Sequence, residues 1–207
     1  MASLSLIFSG HPMDSLIDAA MKGNSRFVRD LIQQGHSPDT RDEHGETALT
    51  WAAYLGHTSV VKDLLAAGAD QEAKGKYFQA TPLILAAQGG HRGIVALLAA
   101  LSNLNERDPR GATALMLALE PKTAMLKSQS RVITIMNTLL QAGADIDLQD
   151  QNGNTALIWA VTIGNVEAAR LLLTSGANPH LKNENGQTAL ALAIQLDHPE
   201  MITLLAD

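Results

Sequence analysis

The sequence predicts an all-α solenoid of six stacked helix-turn-helix repeats, with one insertion between the two helices of the fourth. Three observations lead there. A Thr-Ala-Leu or Thr-Pro-Leu triplet begins at Thr47, Thr81, Thr113, Thr155 and Thr188, in steps of 34, 32, 42 and 33 residues. A period near 33 with one long step describes an array of like units, one of which carries an insertion. Behind each triplet the same order of residue classes returns: small and apolar residues, a break, then a second apolar stripe. The composition, 46% hydrophobic and 17% charged, belongs to a chain that buries a core rather than a disordered one.

Taken in order, residues 1–13 form an N-terminal extension, and the repeats run over about 14–41, 42–74, 75–107, 108–149, 150–182 and 183–207. The first copy is degenerate. Ser15-Leu16-Ile17-Asp18-Ala19-Ala20 leads to Gly23-Asn24, then to Phe27-Val28 and Leu31-Ile32, and each landmark sits 33 residues before its counterpart in the second. In the second copy Asp42-Glu43-His44-Gly45 has turn chemistry. Thr47 caps the first helix, and Leu49, Ala52 and Ala53 supply its apolar face. Gly56 ends that helix, Val60, Val61, Leu64 and Leu65 form the stripe of the second, and Gly68 closes it. In the third copy Thr81 precedes Pro82 at the first helical position, where the missing N–H costs nothing. Small residues at Ala52-Ala53, Ala86-Ala87 and Ala160 let neighbouring pairs approach, so that stacking supplies the core a single pair lacks.

These landmarks make the chain similar to the ankyrin-repeat family. The shared pattern is Asp-x-x-Gly-x-Thr-Pro/Ala-Leu-x-x-Ala-Ala-x-x-Gly-His, followed by Val-Val, Leu-Leu and Gly-Ala-Asp, and the resemblance covers about residues 14–207. The family's usual His after the triplet is replaced by Thr50, Ile84, Met116, Ile158 and Ala191, and Ser102-Asn103-Leu104-Asn105 stands where Gly-Ala-Asp is expected. The longest departure is the insertion near 119–131, Leu119 to Arg131, in which Pro121 is expected to bend or end the first helix.

Composition excludes several function classes. Without Cys there is no disulfide, thiolate metal site or Cys nucleophile. The apolar run Leu6-Ile7-Phe8 is too short for a secretory leader, and nothing approaches a membrane span, so a soluble, cytoplasmic protein with no membrane partner is expected. No His pair has metal-ligand spacing with a third ligand nearby, and Gly89-Gly90-His91-Arg92-Gly93 lies at an interhelix break without a preceding strand. No catalytic, cofactor or metal site is therefore expected. A sequence pI near 5.6 argues against nucleic acid. Charge is uneven, however. Residues 75–131 hold seven Lys and Arg against three Asp and Glu, between two acidic flanks, and this predicts a docking patch for an acidic partner surface. Lys74, Lys76, Arg107 and Arg110 fall at successive turn tips, with Lys122 and Lys127 of the insertion nearby in sequence.

What remains is a recognition surface. The resemblance implies that turn tips and first helices line a concave face that binds another protein. Five of the seven aromatic residues fall there: Trp51, Tyr54 and Trp159 on first helices, Tyr77 and Phe78 in a turn. Such residues dominate interface energetics. The expected contact set is Glu43, His44, Glu46, Trp51, Tyr54, Leu55, Lys76, Tyr77, Phe78, Arg107, Arg110, Trp159, Thr162 and Ile163. The chain is expected to be a non-catalytic interaction module, monomeric when unbound, that serves as an inhibitor, an immunity factor or an assembly helper. The competing classes are a homo-oligomeric structural element, using the weakly shielded last repeat, and an enzyme, which would need a pocket of convergent polar groups.

Overall fold

The computed structural model describes residues 15–120 and 129–206. Among these residues twelve helices pair in chain order: α1 Leu16–Met21 with α2 Ser25–Gln33, α3 Ala48–Leu55 with α4 Thr58–Ala66, and α5 Pro82–Gln88 with α6 Arg92–Leu98. The series continues with α7 Ala114–Leu117 and α8 Gln129–Gln141, α9 Ala156–Thr162 and α10 Val166–Thr174, and α11 Ala189–Gln195 and α12 Pro199–Ala206. First helices pack on first helices and second on second, each against its neighbour in sequence order. The result is an all-α solenoid; the β geometry among the described residues is two isolated bridges, Arg41 with Thr47 and Arg107 with Thr113, at turn tips.

The local chemistry explains where the helices begin. The hydroxyls of Thr47, Thr81, Thr155 and Thr188 each accept the N–H three residues on, capping α3, α5, α9 and α11. Thr50 completes a reciprocal cap at α3, accepting the Thr47 N–H at 2.9 Å. Thr113 makes no cap bond, and its α7 is the shortest helix, with four residues. The second helices bury one stripe at equivalent positions: Val60, Val61 and Leu64; Ile94, Val95 and Leu98; Ile135, Met136 and Leu139; Ala168, Ala169 and Leu172. Leu65, which the stripe also predicted, is only half-buried against this core.

Side chains also bind one repeat to the next. The His57 ring donates from Nε2 to the Met21 carbonyl at 3.0 Å, and His91 does the same to Tyr54 at 3.1 Å. Each ring lies over the left-handed glycine that ends the preceding first helix. A Cβ at Gly56, whose φ is +83°, would fall 2.5 Å from the His91 ring. At the turn tips, Arg41 donates to the Lys74 carbonyl, Arg107 to that of Gln149, and Gln149 to that of Lys182. A second series closes the other loops. Asp39, Glu72, Asn105 and Asp147 accept the backbone N–H groups of Asp70, Asn103, Asp145 and Asn178.

The extension 1–13, with Phe8, and most of the expected insertion, with Pro121, Lys122 and Lys127, lie outside the described residues. At its far edge the insertion is shorter than expected. Gln129, Ser130 and Arg131 already form the first turn of α8, which at 13 residues is the longest helix described.

Candidate protein-interaction site

Two rows of residues meet along the turn tips and the first helices. The tip row is His44, Tyr77, Arg110 and Asn152, at equivalent places in successive repeats; the helix row is Tyr54, Gln88, Glu120 and Thr162, each seven residues after its Thr. Between them lie two grooves. The larger, about 690 Å³, is lined by Tyr54, Tyr77, Phe78, Ile84, Leu85, Gln88, Asp108, Arg110, Leu117 and Glu120, with Ala80 at its floor. The second, about 370 Å³, is lined by Asp150, Gln151, Asn152, Asn154, Trp159, Thr162 and Ile163, and shares Arg110 and Glu120 with the first.

The aromatic wall of the larger groove is held from beneath. Asp42 uses one carboxylate oxygen to accept the N–H groups of His44 and Glu46, both at 2.9 Å, and the other to accept the Trp51 indole N–H at 2.8 Å. Glu46 is fully buried, and its Oε1 accepts the N–H groups of Tyr77 and Phe78 at 3.1 and 2.9 Å. Gly75 is the reason the carboxylate fits, since a Cβ there would meet it at 2.1 Å. The ring of Phe78 then lies 4.9 Å from Trp51, 4.7 Å from Tyr54 and 4.9 Å from Tyr77, and Trp51 stacks on Tyr77 at 6.2 Å. Two expected contact residues are corrected by this arrangement. Glu46 and Trp51, 0% and 2% exposed, build the wall from inside and present no surface. Tyr54 and Leu55, expected to face outward, are half-buried against the core. Tyr77 is 53% exposed.

The second groove repeats the first half of that plan. Asp150 accepts the Trp159 indole N–H at 2.9 Å, as Asp42 does for Trp51. Here no aromatic tip among the described residues covers the ring, and the Arg110 guanidinium sits 5.8 Å from its centroid. Ile163 is 51% exposed beside it, and Thr162 is exposed with its hydroxyl donating back to Ile158. Glu43 and His44 are exposed at their tip, where the His44 ring lies 5.8 Å from Tyr77.

Among the described residues, most of the predicted basic cluster is engaged within the molecule. Lys74 pairs with Glu106, and Arg107 is spent on the carbonyls of Gly111 and Gln149. Arg110 bonds Asp108 at 3.1 Å and Glu120 at 3.2 Å. Burial works against the Arg110 cation, but its bonds and charge pairing with Asp108 and then Glu120 outweigh this and raise its pKa above the ordinary value. Lys76 remains exposed beside the tip. Among the described residues the larger groove accordingly holds two carboxylates to one cation, although its stretch of sequence is basic. Sequence reasoning missed Gln88, Asp108, Leu117 and Glu120. Gln88 and Glu120 were signalled by their equivalence to Tyr54 and Thr162.

The comparisons agree with this architecture. A family model described as "Ankyrin repeats (3 copies)" matches residues 16–108, 60–128 and 124–207. The chain belongs to the ankyrin-repeat family. Neurogenic locus notch homolog protein 2 of Homo sapiens is 33% identical over 156 residues, 74% of this ankyrin-repeat chain. The match spans only 6% of that relative's length. An ankyrin repeat domain from Acinetobacter baumannii AYE is 29% identical with a TM-score of 0.82, and the likeness covers 92% of this chain and 95% of that one. A chain from the complex of a predatory endopeptidase from Bdellovibrio bacteriovorus with an immunity protein is 26% identical with a TM-score of 0.76. That likeness covers 93% of this chain and 97% of the other. Ankyrin-repeat domains are protein–protein interaction modules. Among the described residues, no helix is long and apolar enough to cross a membrane, and no group of three or more His, Asp or Glu could hold a metal ion.

Proposed function

We propose that this ankyrin-repeat chain is a non-catalytic module that binds one partner protein along the two grooves. It acts in the cytoplasm and is monomeric until the partner arrives. The single observation that carries the reading is the aromatic wall. Tyr77 is held by a buried carboxylate yet left 53% exposed, beside an open groove. A pre-organised exposed ring loses little entropy on binding, and such rings serve as interface anchors. An inhibitor or immunity role is the finer reading that the Bdellovibrio complex suggests.

The test is capture of partners from the native source, followed by measurement with the purified partner. Tyr77→Ala should weaken binding roughly tenfold or more, as expected for an anchor residue. Unchanged affinity for Tyr77→Ala together with Ile163→Ala would remove the grooves as the binding face. Mass that rises with concentration in ultracentrifugation would favour the homo-oligomer instead.

A second observation supports the acidic partner surface that the basic stretch predicted, at a different place. Arg92 and Arg131, with His91, Ser130 and Thr58, line a hollow of about 350 Å³ that has no carboxylate in its lining among the described residues. It lies at the interhelix breaks, the end of the helix pairs opposite the turn tips. Arg92→Glu with Arg131→Glu should slow association at low salt, and equal rates for variant and wild type would end that reading.

A further inference from the structure

We propose that the larger groove receives a basic side chain, arginine or lysine, of the partner protein. This rests on the groove's being the binding face, and it reverses the sign of charge that the local sequence suggests. Three features carry it. The wall formed by Tyr54, Tyr77 and Phe78 offers aromatic rings, whose faces attract cations. The groove is also lined by the carboxylates of Asp108 and Glu120, so that among the described residues its lining is net negative once Arg110 is counted. Asp108 is fixed in place because its Oδ1 accepts two turn N–H groups, at 2.8 and 2.9 Å.

The third feature is a template within the molecule. Arg110 already lies between an aromatic face and two carboxylates, over the Trp159 ring and against Asp108 and Glu120. The larger groove, which the same carboxylates line, repeats the elements of that setting, with Tyr77 and Phe78 in place of Trp159. An incoming guanidinium or ammonium group would share Glu120 with Arg110. A carboxylate occupant would instead face Asp108 and Glu120, a repulsive arrangement. A purely apolar one would desolvate Gln88 and both carboxylates without replacing their water. The volume, about 690 Å³, admits a long side chain with its stem against the half-buried rings of Tyr54 and Phe78.

The experiment titrates three blocked dipeptides, N-acetyl-Arg-Leu-amide, N-acetyl-Gln-Leu-amide and N-acetyl-Glu-Leu-amide, into the full chain. Side-chain NMR resonances of Tyr54, Tyr77 and Phe78 are followed. The arginine peptide should shift these rings saturably and bind roughly fivefold more tightly than the glutamine peptide, about the size of one exposed cation–π contact. Glu120→Gln, at an exposed position, should erase most of that preference, and Tyr77→Ala should weaken the arginine peptide while leaving the fold intact. Equal or tighter binding of the glutamine or glutamate peptide at these rings overturns the proposal, as does an arginine peptide that moves none of them. With a purified partner the two readings separate. Affinity lost in Tyr77→Ala but unchanged in Glu120→Gln keeps the groove as the binding face and removes the basic side chain from it.

Discussion

Glu46 holds a turn that belongs to the next repeat. Its Oε1 is the acceptor for two N–H groups at Tyr77 and Phe78, and it reaches them because Gly75 has no side chain. Glu46→Ala should leave both donors without a partner and cost about 2 kcal/mol, the usual penalty for an orphaned polar group. Glu46→Gln keeps a carbonyl oxygen in place and should cost less. Thermal melts of the two variants check this; equal losses would mean the bonds to the turn contribute nothing. His91 gives a pH dependence. Burial, the largest cause, and the Arg131 and His57 charges together push its pKa below the ordinary 6.5, against the opposing bond to Tyr54. The unfolded chain therefore takes up a proton near 6.5 while the folded one does not, so stability is lost as pH falls from 7 through the depressed folded value. His91→Gln should flatten the fall in melting temperature between about pH 7 and 5.5.

At the scale of elements, the glycines separate two causes of strain. Gly56 and Gly68 both have φ near +80°, but a Cβ at Gly56 strikes the His91 ring while one at Gly68 meets nothing within 4 Å. Gly68→Ala should cost about 1 kcal/mol for the left-handed backbone alone. Gly56→Ala should cost clearly more, and equal denaturant midpoints for the two would show that the ring simply moves aside. The contrast also shows what was legible in the sequence. Thr47, Thr81, Thr155 and their helices could be read because a cap bonds only three residues away. Gly56 and Gly68 could be read as helix ends for the same reason. Glu46, Lys74 and Arg107 could not, because their partners lie 31 to 42 residues off and are set by stacking. A charged residue at a turn tip looks exposed until the neighbouring tip is beside it. Thr113 marks the converse failure: its triplet is intact, yet its hydroxyl is buried with no partner among the described residues and its helix is one turn long.

For the whole molecule, stability in a stack of this kind is a sum of unit and interface terms. The interface between the second and third repeats is spanned at the tips by Lys74 on Glu106 and on the Arg107 carbonyl, and the next one by Arg107 on Gln149. One tryptophan reports on each side of these links, Trp51 and Trp159. In single-tryptophan variants made by replacing the other with Phe, the two probes should unfold together. Adding Arg107→Ala should lower the midpoint by about 1 kcal/mol and pull the two transitions apart. Coincident transitions after that change would mean that helix packing alone couples the halves.

The tip ladder has one more property. Arg41, Arg107 and Gln149 each address a main-chain oxygen of the following repeat, never a side chain. Every residue type supplies that oxygen, so the bond makes no demand on the spelling of its neighbour. At these three joints a neighbouring repeat can therefore be exchanged and the bond still finds its acceptor, unlike the joints where Lys74 needs Glu106 and Glu46 needs Gly75.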